Sequence, residues 1–224
     1  MSTHALRAVF WPAATLTLLA LVALAIALGA VPLSLESVVR ALAGRADPTT
    51  DAIVWTLRMP RAALALLVGA GLGMAGGALQ GSLRNPLAEP YLLGVSGGAA
   101  VGAVAAVAAG VTSAALLPLA AFAGAAVAIA VALAVARAAT GAAEPRTLLM
   151  AGVVVGAFAN AAIMVALADA APNTLRGALW WMMGSVADAD FARVAWLGAY
   201  VIAGGAALLA WAREIDVLAL GDEP

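Results

Sequence analysis

A polytopic transmembrane helix bundle, all-α, is the fold class this sequence predicts, on three observations. Hydrophobic residues make up 65% of the chain and charged residues 10%, against about 45–50% and 25% in soluble domains. Between Leu92 and Ala136 there is no ionisable side chain, a stretch long enough for two spans of roughly 20 residues each. Apolar runs bounded by charges recur along the whole of the 224 residues, so the chain reads as one membrane domain covering residues 1–224.

Taken in order, the runs place about six spans near residues 11–30, 62–83, 92–111, 115–136, 148–168 and 194–212. The first has the outline of a secretory signal peptide, with Arg7 before it and Gly29 and Ala30 after it. It is nevertheless long enough to cross, and the chain beyond it is also membranous. The connection from Ser34 to Arg61 is the longest polar segment and is expected to hold a short helix at the interface. The third and fourth runs meet around Ser113 to Pro118 without a charge, which fits a tight turn. Between the fifth and sixth runs, Leu175 to Met183 is too short to cross and is bounded by Pro172 and Gly184. Its Trp180 and Trp181 are expected at a membrane–water interface, with ligand stacking as the alternative. With the N-terminus inside, five arginines fall inside (Arg7, Arg84, Arg137, Arg146, Arg213) and six outside (Arg40, Arg45, Arg58, Arg61, Arg176, Arg193), so the positive-inside rule does not choose an orientation.

Two glycine ladders flank a polar hairpin. Gly69, Gly73, Gly77 and Gly81 lead into Arg84-Asn85-Pro86-Leu87-Ala88-Glu89-Pro90, and Gly94, Gly98 and Gly102 lead away from it. Spacing by four puts each ladder on one helix face, and because lipid tails do not drive helices together, such side-chain-free stripes favour close backbone packing. The expectation is a tightly packed helix pair joined by a proline-bounded turn, whose polar groups must find water or a protein partner.

Several chemistries are excluded. All eleven basic residues are arginine, so there is no lysine for a phosphate-binding Walker A loop. Cysteine is absent and His4 is the sole histidine, which leaves no metal, haem or iron–sulfur ligand set and no Cys/His nucleophile pair. No cofactor, metal or catalytic residue is expected. A net charge of −1 without a basic patch points away from nucleic acid. The apolar centres of the runs carry no Asp, Glu, Arg or His, groups on which proton- and sodium-coupled carriers often rely.

The run Gln80-Gly81-Ser82-Leu83-Arg84-Asn85-Pro86-Leu87-Ala88-Glu89-Pro90-Tyr91-Leu92-Leu93-Gly94-Val95-Ser96-Gly97-Gly98 resembles the signature of FecCD-type (BtuC-like) permeases. These are the membrane subunits of type II ABC importers for ferric siderophores, haem and vitamin B12. Leu57-Arg58-Met59-Pro60-Arg61, Leu149-Met150-Ala151-Gly152, Trp181-Met182-Met183-Gly184-Ser185 and Asp216-Val217-Leu218-Ala219-Leu220-Gly221-Asp222-Glu223 resemble further motifs of the family, in the same order. The resemblance implies a ten-helix bundle that dimerises around a central pathway with its N-terminus in the cytoplasm. The six spans here are then the N-terminal portion of a permease, and Leu218, Gly221, Asp222 and Glu223 open the first cytoplasmic coupling helix.

The candidate residues follow, each beside a plainer reading. Arg58 and Arg61 lie three apart at the expected start of the second span, sharing a face that points into water. By resemblance they dock acidic residues of a soluble binding protein, and ordinary interfacial snorkelling is the alternative. Asn85, Pro86, Glu89 and Pro90 form a hairpin on the cytoplasmic side, either as local caps or beside a gate or coupling region. Among polar residues inside the spans, Gln80, Ser96 and Asn160 stand out. Gly152, Gly156 and Asn160 share a face of the fifth span, which by resemblance lines the pathway, with Thr147 as a gate candidate at its inner mouth; interhelical hydrogen bonding is the alternative role for Asn160.

The function expected is that of a permease subunit in a binding-protein-dependent importer for an iron–siderophore-type chelate, sited in a bacterial inner membrane. Its implied partners are a cytoplasmic ATPase dimer, an extracytoplasmic substrate-binding protein, a second permease copy or paralogue, and the lipid bilayer. The rival readings are an ion- or proton-coupled carrier and a permease remnant that does not transport.

Overall fold

The computed structural model describes residues 3–220 apart from 112, 114, 142 and 143, and every regular element among them is helical. The chain forms two units, Met1–Ala70 with Val186–Ala203, and Gly71–Ser185 with Gly204–Pro224.

In the first unit, α1 (Thr3–Ala27) is followed by α2 (Leu35–Leu42), the short interfacial helix expected from the polar connection. Ser34 starts α2 by accepting the Ser37 amide at 3.1 Å, and Glu36 sits where the helix dipole favours an acid. Asp47 then caps α3 (Pro48–Ala52), accepting the Thr49 and Thr50 amides at 3.0 Å each. Hydrogen bonds from Thr50, first from its side chain and then from its amide, hold the Asp47 carboxyl below its usual range.

The helix does not end there. A π-helical stretch, Ile53–Arg58, carries α3 directly into α4 (Met59–Ser82). The combined 35-residue helix is about 52 Å long at 1.5 Å per residue, well beyond the roughly 30 Å of bilayer hydrocarbon. Its N-terminal part therefore projects past the span, and the helix begins at Pro48 rather than near residue 62. Met59 donates to Val54, five residues back. Pro60, which has no N–H to give and whose ring crowds the preceding turn, follows at once. A widened turn admits that ring without ending the helix. Ile26, Ala27, Val38, Ala41 and Val54 form the core where the end of α1, α2 and the π stretch meet.

The second unit centres on α5 (Val95–Ala108), which packs against α6 (Leu116–Thr140), α7 (Pro145–Ala168) and α8 (Pro172–Met183). Val104, Ile163, Leu167 and Ala178 form one core cluster, and Ala132, Ala136 and Ala151 another. Alanine at the contacts lets the backbones come close. Helix α8 ends at Met183 as expected, capped by Gly184, but opens at Pro172, three residues before the expected Leu175. Helix α9 (Phe191–Ala210) contributes residues to both units and is followed by α10 (Ala212–Leu220).

Five helices among the described residues are long and apolar enough to cross a membrane: Ala8–Ala27, Pro48–Ser82, Leu116–Thr140, Pro145–Ala168 and Phe191–Ala210. The third of the six expected spans differs. Residues 92–111 are divided between a 3-10 turn, Pro90–Leu93, and α5, whose 14 residues reach only about 21 Å. Gly94, at φ 76°, breaks the run before α5, and Gly110, at φ 79°, turns the chain after it. Irregular backbone at membrane depth has to be enclosed by protein, and Leu93 and Gly94 are buried. The tight turn expected around Ser113 to Pro118 includes residues 112 and 114, which lie outside the described residues.

Candidate functional site

Two arginines three residues apart have opposite surroundings. Arg58, the last residue of the π stretch, is 8% exposed. Its Nη1 donates to Ile26 O at 2.6 Å and Ala27 O at 2.7 Å, and its Nη2 donates to Val31 O. The carbonyls of Ile26 and Ala27 belong to the last turn of α1, where intrahelical donors run out and the dipole favours a cation. Gly29 makes room for this arrangement, since a Cβ there would lie 2.8 Å from Arg58 Nη2 and 3.1 Å from Cζ. Arg61 is exposed and donates from Nε to Ala187 O at 2.9 Å. Both arginines border a cavity of about 360 Å³, whose other walls include Leu28, Gly29, Ile53 and Leu57.

The hairpin is built from the end of α4. The Arg84 amide donates to Gly81 O at 3.2 Å and the Asn85 amide to Gln80 O at 3.1 Å, the paired bonds of a Schellman ending. Arg84 occupies the left-handed position with φ 49°. Its Nε donates to Leu218 O of α10 at 2.6 Å. One turn back, a Cβ on Gly81 would lie 3.4 Å from Ile215 Cγ2 and 4.0 Å from Ala219 Cβ. Asn85 Oδ1 accepts the Leu87 amide at 2.9 Å, and Asn85 O accepts the Ala88 amide at 3.0 Å. Glu89 precedes the 3-10 turn, is exposed and makes no capping bond.

Beyond the hairpin the chain runs into α7. Gly94 faces Gly152 and Gly156: a Cβ on Gly94 would lie 2.9 Å from Gly152 O and 3.4 Å from Gly156 N. Gly152 is buried against Leu92 and Leu93, whereas Asn160, two turns on, is exposed. Thr147 is half-buried in the first turn of α7. Among the described residues no group of three or more His, Cys, Asp or Glu is placed to hold a metal ion.

Residues 17–224 match the family model of the FecCD transport family. The chain belongs to that family. It is 35% identical over 183 residues to the cobalamin import system permease protein BtuC of Halobacterium salinarum, covering 78% of this chain and 47% of that one. It is 33% identical over 207 residues to the Fe(3+)-citrate import system permease protein YfmE of Bacillus subtilis, covering 92% and 61%. A solved structure described as an inward-facing conformation of a metal-chelate type ABC transporter superposes with a TM-score of 0.76 at 23% identity. That match covers 93% of this chain and 62% of the other, and it shows the fold. The chain thus spans about half to three-fifths of the length of these relatives.

In this FecCD chain the site residues expected from sequence fall into different places. Arg58 does not point into water beside Arg61, because the helix begins fourteen residues earlier than the charge pattern indicated and turns Arg58 onto the end of α1. The two ladders do not pack on each other. Gly98 and Gly102 lie against Ala120, Gly124 and Ala128 of α6, whereas Gly69, Gly73 and Gly77 have no atom within 4 Å of where a Cβ would sit. Gly94 stands before α5 as its N-terminal cap, so it is not part of the helical ladder. Gly152 is a packing contact of the hairpin exit, half-buried Gly156 is beside it, and Asn160 is left as the exposed polar group on that face. Gln80 and Ser96 are exposed too. Leu218 lies in α10, while Gly221, Asp222 and Glu223 lie outside the described residues. Sequence reasoning missed Gly124, a lone glycine in an alanine-rich run, and Gly29; neither stands in a ladder.

Proposed function

We propose that the chain is a pathway-forming subunit of a binding-protein-dependent ABC importer in a cytoplasmic membrane, and that its cargo is an iron–siderophore-type chelate. The observation that carries this reading is family membership joined to uncharged span interiors. The relatives are import permeases, and residues 62–83, 92–136 and 147–168 contain no Asp, Glu, Lys, Arg or His. Gradient-coupled carriers often use an embedded ionisable group to bind and release their ion, and these stretches supply none. Energy then enters from ATPase subunits in the cytoplasm.

On this reading Arg61 offers an exposed guanidinium at the outer rim to carboxylates of the binding protein, and Arg58 fixes the helix beneath it. Asn160 faces the central pathway shared with a second permease copy, because an exposed amide at membrane depth is poorly placed against lipid tails. Thr147 sits at the inner mouth, and the hairpin Asn85–Pro90 lies at the cytoplasmic side beside α10, the start of the ATPase-facing surface.

The test is uptake of a ferric chelate into vesicles holding the permease, with the ATPase and binding protein present or withheld. Accumulation that requires both partners and ATP is expected. Accumulation driven by a proton or sodium gradient, without the ATPase, would replace this reading with a secondary carrier. Competition with cobalamin and haem in the same vesicles decides the cargo.

A further inference from the structure

Arg84 stands where helices usually place glycine. A Schellman ending puts its residue after the cap in the left-handed region, which costs a side chain steric strain and which glycine enters freely. At Gly94, Gly110 and Gly141 this chain uses glycine for left-handed positions, and Arg84 is the non-glycine exception among the described residues. A residue kept in such a conformation is over-determined by its surroundings, and strain of this kind gathers at working sites. Here the surroundings are α10. The guanidinium reaches Leu218 O of α10 at 2.6 Å, a charge-assisted hydrogen bond of the kind about twice as strong as a neutral one. Gly81 lets the end of α4 lie against Ile215 and Ala219 of the same helix.

The contacts continue from there. The hairpin after Arg84 is braced by the Asn85 side chain and by Pro86 and Pro90, so it follows Arg84 as a body. Its far end, Leu92 to Gly94, is seated on Gly152 of α7, backbone against backbone. We propose that Arg84 is a positioning residue that couples α10 to the Asn85–Pro90 hairpin and, through Gly94 on Gly152, to α7. A displacement of α10 imposed by an ATPase is thereby delivered to the helix bearing Thr147 and Asn160. The proposal rests on the importer reading, in which α10 begins the ATPase-facing surface.

Contact alone does not establish energetic coupling, so the experiment measures it. The permease is assembled with its ATPase and binding protein in vesicles, and ATP turnover and ferric-chelate uptake are followed together for the wild type, Arg84→Gly and Arg84→Lys. Arg84→Gly removes the guanidinium while easing the backbone, so the assembly should melt no lower than the wild type. The expected result is ATP turnover within about twofold of wild type and chelate moved per ATP lowered at least about fivefold, the small end of measured coupling factors. Arg84→Lys, which keeps a cation in reach of Leu218 O, should recover part of that loss. Arg84→Gly with unchanged chelate per ATP overturns the coupling role, as does a parallel fall in turnover and uptake. Wild-type vesicles without ATP-dependent uptake would sink the importer reading itself, and this inference with it.

Discussion

On α5, Gly98 and Gly102 lie so close to α6 that a Cβ on either would meet a backbone carbonyl, at Gly124 and at Ala120. On α4, Gly69, Gly73 and Gly77 carry the same four-residue spacing and meet nothing within 4 Å. The contrast separates two statements that a glycine ladder makes together. A stripe without side chains permits close approach of another backbone, but it does not name the partner. For α5 the partner is supplied by Gly124 and two alanines on the next helix, α6, which no repeat announces. The arginines divide in the same way. Arg58 and Arg61 share a helix and a spacing, yet one is consumed by the carbonyls at the end of α1 and the other remains exposed.

The largest effect is expected on the closed side of this comparison. Gly102→Ala and Gly124→Ala each drive a methyl into backbone that cannot rotate away, and should cost about 3 kcal/mol, the upper end of overpacking penalties. Thermal melting in detergent and protease resistance of the inserted protein check this, and unchanged melting would mean that α5 and α6 are not in contact. Next in size is Arg58→Met, which leaves the Ile26 and Val31 carbonyls without their donor. It should destabilise by about 2–3 kcal/mol, against about 0.5 kcal/mol or less for Arg61→Met, an exposed site. Equal losses would restore the symmetrical view of the pair. Gly29→Ala, pressing on the same guanidinium from 2.8 Å, should cost about 1 kcal/mol, a typical value for a point substitution.

The smallest effect probes the open ladder. Gly73→Ala and Gly77→Ala each remove a poor helix former from a face with free space, and should stabilise α4 by about 0.5–1 kcal/mol. A fall in melting temperature on assembly with a second permease copy, without a fall for the single chain, would show that this face is covered in the assembly.

Much of this was legible beforehand because hydropathy acts locally. The apolar runs, the short helix after Ser34, the Gly184 end of α8 and the polar hairpin all follow from solvation and from residues with fixed backbone habits. What escaped depended on atoms distant in sequence. The early start of the second long helix was hidden because residues 47–61, with their charges and prolines, look like a loop by composition, although they open on a good cap, Asp47, and hold a proline that a π turn tolerates. The burial of Arg58 was hidden because its acceptors lie 27 to 32 residues away. The short α5 was hidden because a hydropathy run does not register a left-handed glycine inside it.

By itself, then, the amino-acid order determined that this FecCD chain is helical and membrane-embedded, where its apolar stretches lie, and that it has no cysteine or lysine to offer. These are properties of side chains meeting solvent one at a time. Only the tertiary structure decided which glycines are contacts, which arginine is spent inside, and that Arg84 reaches Leu218, because each of these is a pairing. A pairing is set by where two distant backbones come within a few ångströms, a distance that neither segment encodes alone.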